Sequence, residues 1–240
     1  VYHKFPTEKH HGWKFIAFGP DGKLYVPVGA PCNICKSDDP YASLTRIDTN
    51  GNNLEVVQRG IRNTVGFTWH PDTKELWFTD NGRDMMGDDM PNCELNHAPK
   101  DFMHFGYPFC HEGSLPDPEF GKGQDCSKYT APVAKMGAHT APLGIRYIRN
   151  PQLPEPYNEA FLIARHGSWN RTEKSRYDVQ LVKTNASGQF ISMQPFITGW
   201  LSKDKKEVWG RPVDIQLLLD GTILISDDYA NCIYRVSYKQ

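Results

Sequence analysis

Two stretches of this chain carry cationic and polar side chains in the pattern of a binding rim rather than of scaffold: Arg165-His166-Gly167-Ser168-Trp169-Asn170-Arg171 and Trp209-Gly210-Arg211-Pro212. Arginine presents a planar fork of N–H groups that grips a carboxylate or phosphate by two parallel hydrogen bonds. Two separated arginines therefore suit a ligand with several carboxylates, and structural ion pairing within the protein is the other reading of the same residues. His10 and His11 add a side chain tuned to take a proton near neutral pH, although a histidine at a strand entry also occurs as plain surface. Gly60-Ile61-Arg62-Asn63-Thr64 offers a cation and an amide together, which could polarise a carbonyl oxygen in a closed site or cap a sheet edge. The loop Asp80-Asn81-Gly82-Arg83-Asp84-Met85-Met86-Gly87-Asp88-Asp89 is oxygen-rich and contains glycine. That composition suits calcium but does not have the spacing of an EF-hand, and on chemistry alone a solvated acidic turn is the preferred reading.

These residues follow or precede apolar runs that must position them. Phe15 to Phe18 and Leu24 to Val28 flank the turn Gly19-Pro20-Asp21-Gly22. Gly66 to Trp69 and Glu75 to Thr79 flank His70-Pro71-Asp72-Thr73-Lys74, and Asp214 to Leu218 and Thr222 to Ser226 flank Leu219-Asp220-Gly221. Gly144 to Ile148 and Ala160 to Arg165 form a further pair, and Thr45 to Asp48 with Leu54 to Gln58 around Asn50-Gly51 form an outer hairpin. The first two turns lie about fifty residues apart and the last lies about three such steps further on, a period that leaves room for four short strands per repeat. Four-stranded repeats predict an all-β fold, a β-propeller, and no amphipathic helix of ten or more residues interrupts it. A two-sheet sandwich is the alternative, but it gives no reason for the period.

The chain has 240 residues, 39% of them hydrophobic, and a formal net charge of -1, enough for one large all-β domain and without the basic excess that nucleic acid or an anionic membrane would call for. No apolar run approaches the roughly 18 residues of a membrane span and no secretory signal stands at the start, so the chain reads as a mature or truncated piece. At about fifty residues per repeat it holds nearly five blades, and the expectation is that N-terminal blade material is missing or supplied by a partner chain. Cys32, Cys35, Cys93, Cys110, Cys126 and Cys232 permit three disulfides. Cys32 and Cys35 lack the further ligands of a zinc site and read as a loop disulfide. With the sequons Asn170-Arg171-Thr172 and Asn185-Ala186-Ser187, this leans toward an extracellular, periplasmic or other oxidising compartment.

Taken in order, His10-His11-Gly12-Trp13-Lys14, Phe18-Gly19-Pro20-Asp21-Gly22-Lys23-Leu24-Tyr25-Val26, Gly60 to Asn63, Thr79-Asp80-Asn81-Gly82-Arg83-Asp84, Glu94-Leu95-Asn96, Phe105-Gly106-Tyr107-Pro108, His166 to Arg171, Gly210-Arg211-Pro212 and Ser226-Asp227-Asp228 resemble the soluble quinoprotein sugar dehydrogenases of the glucose/sorbosone dehydrogenase family. The likeness runs from about His10 to Tyr238. It implies a six-bladed propeller using pyrroloquinoline quinone and calcium, of which residues 1–240 would be one domain holding the C-terminal four to five blades. It further implies a sugar oxidised at its anomeric carbon to the lactone, with an external electron acceptor. By the same resemblance His11, rather than His10, matches the general base. Arg62 and Asn63 match the pair beside the quinone carbonyl, and the carbonyls of Gly82 and Arg83 match the calcium turn. Arg211 and Asp228 match positions where the family holds a quinone carboxylate and supports the site, and His139, His166 and Arg171 are looser matches to cofactor-binding positions.

Two departures stand out: Cys93 replaces the aspartate that relatives commonly carry before Glu-Leu-Asn, and Cys232 lies in the last hairpin. Whether these two pair is open at this point. The alternative function is a non-catalytic propeller kept as a binding or assembly module in a larger complex. A calcium-dependent lactonase would need several side chains converging on one metal, which these motifs do not supply.

Overall fold

The computed structural model describes residues 2–238. Strands β1 (Ala17–Phe18), β2 (Leu24–Val28), β3 (Ser43–Ile47) and β4 (Glu55–Arg59) form an antiparallel meander. A second sheet is built from β5 (Phe67–Trp69), β6 (Leu76–Asp80) and β7 (Asn92–Ala98), and it is completed only after an insertion. The insertion holds β8 (Met103–His104), the small hairpin of β9 (Cys110–His111) and β10 (Leu115–Pro116), and a 3-10 turn at Cys126–Lys128. The chain then returns as β11 (Ala134–Ala138) to pair with β7. The third sheet is β12 (Pro142–Ile148), β13 (Ala160–Arg165), β14 (Asp178–Thr184) and β15 (Phe190–Ile197). The fourth is β16 (Pro212–Leu217), β17 (Ile223–Asp227) and β18 (Cys232–Val236). These sheets are blades of a β-propeller, and the predicted strand pairs fall on β1/β2, β3/β4, β5/β6, β12/β13 and β16/β17.

Strands β6 and β13 are buried along their whole length because the second and third blades are covered on both faces, and the alternation of side chains sends successive residues to different neighbours. On β6, Leu76 and Phe78 pack with Tyr25, Leu44 and Val57 of the first blade, while Trp77 packs with Ile145, Phe161 and Ile163 of the third. On β13, Phe161 and Ile163 face the second blade, and Leu162 and Ala164 face Ile215, Ile223 and Ile225 of the fourth. The core is thus three apolar layers between blades. The blades approach closely enough that a Cβ at Gly66 would fall 2.1 Å from the Leu143 carbonyl oxygen. The neighbouring Thr79 hydroxyl donates to that oxygen at 2.8 Å.

The fifty-residue spacing does not persist beyond the second blade. Asp72 and Asp220, which the spacing places three repeats apart, lie in the second and fourth blades, because the insertion and the long loops of the third blade stretch the interval. The insertion also has a structural use: β8 pairs in parallel with β4 and covers what would be an open sheet edge.

Cys32 and Cys35 are joined, as expected, and Cys110 is joined to Cys126 within the insertion. Cys93 is buried and free and Cys232 is exposed and free, so two disulfides form rather than three and these two cysteines do not pair. Two disulfides fit an oxidising compartment. Among the described residues no helix is long and apolar enough to cross a membrane.

Phe161, fully buried with its ring 4.5 Å from that of Trp77, is the test of this layered core. Phe161→Ala is expected to cost about 3–5 kcal/mol of unfolding free energy in a urea titration. A cost below about 1 kcal/mol would mean that the layer between the second and third blades does not hold the fold.

Candidate functional site

Within a blade, the segment entering the innermost strand lies beside the segment leaving the second strand, because those strands are antiparallel neighbours. In the second blade Asp80, at the end of β6, accepts the main-chain N–H of Asn63 at 2.6 Å and of Arg62 at 2.9 Å. In the fourth blade Asp227, at the end of β17, accepts the N–H of Arg211 at 2.9 Å. In the third, His166 donates its N–H to Ala141 at 3.0 Å. In the first, His11 approaches Ala30, just past β2. The chemistry-bearing motifs accordingly collect on one face of the propeller.

A cleft of about 290 Å³ opens there, lined by His10, His11, Arg62, Asn63, Asn81, Gly82, Asp84, Cys93, His139, Ala141, Leu143 and Trp169. His11 holds its Nδ1 at 2.8 Å from the Ala30 carbonyl oxygen. A carbonyl can only accept, so Nδ1 carries the proton and Nε2 keeps its lone pair. Burial, then the charge of Arg62, then His10, push its pKa down to about 3, so the imidazole is neutral at physiological pH. Gly29 makes room for it: a Cβ there would lie 2.5 Å from the His11 Cβ.

Arg62 is buried and heavily bonded. Its Nε donates to the Asn33 carbonyl and its Nη2 to Asn33 Oδ1, both at 2.8 Å. Its Nη1 donates to the Asn81 carbonyl at 3.2 Å, and Nη2 also reaches Asp84 at 3.2 Å. Of its five N–H groups, one on Nη1 is left for a ligand. The Asn63 side-chain amide has no hydrogen-bond partner among the described residues and lines the cleft. His139 is held at both nitrogens, with Nε2 2.8 Å from the Gly87 carbonyl and Nδ1 3.4 Å from Asp84. It braces the 84–87 turn.

The sequence reading did not single out Asn33, which ties the site together. Besides its bonds to Arg62, its Oδ1 accepts the Asp84 N–H at 2.9 Å and its Nδ2 donates to the Asp84 carbonyl at 3.1 Å. The Cys32–Cys35 disulfide presents it, and a polar residue inside that tight loop is the signal that could have found it. Asp117 is the other omission. This buried carboxylate accepts from Arg83 at 2.6 Å and His111 at 2.8 Å. These bonds, with main-chain N–H groups, outweigh its burial and hold its pKa at about 2.

Gly82 and Arg83 leave β6 in a turn whose two carbonyl oxygens accept no hydrogen bond from the described residues, and the adjacent Asn81 Oδ1 is buried with no donor among them. Unpaired oxygens in succession are the donor set a hard cation needs, so this turn fits calcium. Among the described residues no three His, Cys, Asp or Glu side chains converge on a metal position. A cation here would therefore rest on main-chain and amide oxygens and on the ligand.

His166, Arg171, Arg211 and Asp228 do not line the cleft. His166 Nε2 lies 2.8 Å from Asp228, its Nδ1 lies 3.5 Å from Arg211, and the Arg211 guanidinium sits 5.2 Å over the Tyr177 ring. Arg171 pairs with Asp89 at 2.9 Å and also bonds the Asp88 carbonyl. Trp169, between these residues in sequence, is exposed and does reach the cleft.

A model of the glucose/sorbosone dehydrogenase family matches residues 1–170, and a TrAA12-like model matches residues 116–239. An uncharacterised protein of Borreliella burgdorferi is 34% identical over 236 residues, covering 98% of this chain and 62% of its own length. The holo pyranose dehydrogenase PQQ domain from Coprinopsis cinerea superposes with a TM-score of 0.71 at 17% identity, over 92% of this chain and 68% of that one. A calcium structure of a Trichoderma reesei family AA12 carbohydrate-active enzyme gives 0.68 at 18% identity, over 92% and 66%. The chain thus spans about two thirds of the length of these relatives, and the two structures share its fold.

Asp80 and Glu94 are cross-strand partners, so the β-register places two buried carboxylates side by side. Burial raises both pKa values, and the negative charge of Asp80 raises Glu94 further. Raised carboxylates bind more protons folded than unfolded. Their contribution to stability is therefore full below the ordinary carboxylate range and is lost as pH rises through the raised values. Glu94→Gln is expected to flatten that loss, gaining on the wild type between pH 5 and pH 8 in denaturant titrations. Parallel pH profiles for the two proteins would show that the pair does not share a proton.

Proposed function

The chain belongs to the glucose/sorbosone dehydrogenase family, and on that premise we propose that it oxidises an aldose at the anomeric carbon to the lactone, using pyrroloquinoline quinone and calcium. The observation that carries this reading is His11: a neutral imidazole, fixed by Ala30 so that Nε2 is the free base, over a cleft that also holds the unpartnered Asn63 amide. The quinone, when bound and polarised by calcium, supplies the two-electron acceptor for the hydride leaving the anomeric carbon.

Each protein group then has one task. His11 Nε2 takes the proton of the anomeric hydroxyl as the carbon loses hydride, so the lactone forms without a free oxocarbenium ion. The Asn63 amide and the remaining Nη1 proton of Arg62 would stabilise negative charge as it accumulates on the reduced ligand. The carbonyl oxygens of Gly82 and Arg83 would hold calcium. Trp169 provides an exposed ring face at the mouth, suited to the C–H face of a sugar. A pKa of about 3 is low for a general base. An anionic ligand beside Arg62 and His10 would relieve the repulsion from both and raise it toward the useful range.

A second reading, a non-catalytic propeller serving as a binding or assembly module, is favoured by one observation. Arg171 is paired with Asp89, and Arg211 and Asp228 lie outside the cleft against His166, which leaves the carboxylate grip unassembled.

Protein incubated with pyrroloquinoline quinone and calcium is expected to bind the quinone, read from its absorbance, and to reduce an artificial dye when given glucose or other aldoses. His11→Gln should retain quinone binding and lose about 10²–10⁴ in kcat. Binding without dye reduction across a panel of aldoses would support the module instead. No binding to folded protein would refute the cofactor assignment.

A further inference from the structure

A second cleft, of about 370 Å³, lies between the outer strands of the second and third blades, away from His11. Its polar wall carries Lys135, Arg165 and Arg176, and Met136, Met193 and Pro195 form an apolar floor. Every acidic group nearby is already engaged. Asp178 accepts from Arg165 Nε at 2.7 Å, from Arg165 Nη2 at 2.6 Å and from Gln180 at 3.0 Å. Glu112 accepts the Asn92 N–H at 2.8 Å and its side-chain amide at 2.5 Å, and pairs with Lys135 at 3.0 Å. Arg176 has no hydrogen-bond or ion-pair partner among the described residues.

Its position is imposed rather than relaxed. Arg176 and Tyr177 adopt φ of 76° and 63°, two consecutive left-handed residues neither of which is glycine. Such backbone costs of order 1–3 kcal/mol per residue and persists where the surroundings enforce it. Here Tyr177 is buried, with its hydroxyl donating to the Ser168 carbonyl. The guanidinium lies against Gly137, where a Cβ would stand 3.6 Å from Arg176 Nε and 3.7 Å from Nη2. Partial burial, and then the like charge of Arg165, lower its pKa. A cation is thus held beside another cation, and the one carboxylate that acts on it, Asp178, is bonded to Arg165 and Gln180 rather than to Arg176.

We propose that this cleft binds a small organic anion, its carboxylate or phosphate held by Arg176 and Lys135 and its carbon skeleton resting on Met136, Met193 and Pro195. Arg165 is too fully bonded to Asp178 and to the Met136 carbonyl to be the main grip, and it acts as fixed positive background. The ligand chemistry is that of an oxyanion on an apolar body, a class distinct from the neutral sugar proposed for the His11 cleft.

The full chain would be titrated with benzoate and, separately, with inorganic phosphate, each against chloride at equal ionic strength, following Tm and the heat of binding. Wild-type protein is expected to show a saturable rise in Tm of about 2–4 °C with at least one probe. The probe that binds identifies carboxylate or phosphate as the head group. Arg176→Gln should weaken that binding about tenfold or more, and Lys135→Gln should weaken it less. In chloride alone R176Q should be at least as stable as wild type, because the substitution removes a repulsion and no bond. No saturable binding of either probe, or binding undiminished in both variants, would overturn the proposal.

Discussion

The site depends on one interaction, the buried carboxylate of Asp80 accepting the main-chain N–H groups of Arg62 and Asn63. Those donors enter the inner strand of the blade where no ladder partner is available to them, and a buried amide left unpaired costs about 1–3 kcal/mol. By satisfying both, Asp80 fixes the backbone from which Arg62 and Asn63 project. Asp227 answers the same need for Arg211 in the fourth blade. The two aspartates are one solution used twice, each at the end of a second strand. In the third blade the corresponding place is taken by Arg165, which turns instead to Asp178.

Rigidity is then added by two disulfide-bearing loops. Asn33, on the Cys32–Cys35 loop, bonds both Arg62 and Asp84, so the cation and the turn beyond β6 are locked together. Asp117, in the insertion closed by Cys110–Cys126, holds Arg83 from the other side. Neither group needs to touch a ligand. Their effect is to hold this network in place around groups that stay unengaged: His11 Nε2, the Asn63 amide, one proton of Arg62, Asn81 Oδ1 and the carbonyls of Gly82 and Arg83. A ligand entering such a site spends little of its binding free energy on ordering the protein.

This hierarchy explains what could be read in the chain of letters. Strands covered on both faces, such as Leu76–Asp80 and Ala160–Arg165, are apolar runs ended by polar residues, and that local pattern survives in sequence. His11, Arg62, Asn63, Gly82 and His139 were legible because each stands within a few residues of such a strand, and the structure gathers all five at one cleft. Asn33 and Asp117 were not, because the partners that tie them to the site, Arg62 and Asp84 for the one and Arg83 for the other, lie 29 to 51 and 34 residues away. The repeat period misled beyond the second blade for a related reason. Loops leave no imprint on the buried alternation, so an insertion can lengthen a blade without altering its strands.

The cationic rim separates into two kinds of arginine, and the distinction bears on whether a carboxylate grip can assemble. Arg171 is paired with Asp89 and bonded to the Asp88 carbonyl, so drawing it toward a ligand would break both contacts to the 85–89 loop. Arg211 is different. Its side-chain contacts are His166 Nδ1 at 3.5 Å and the face of Tyr177, and its geometry with His166 requires the tautomer whose Nε2–H donates to Asp228. Neither contact sets a negative charge against the guanidinium. A ligand carboxylate would therefore offer Arg211 a charge-assisted bond in exchange for a long neutral one, an exchange that favours the ligand. Of the two rim arginines, Arg211 is the one whose present bonding leaves it available, and the pairing of Arg171 serves the 85–89 loop.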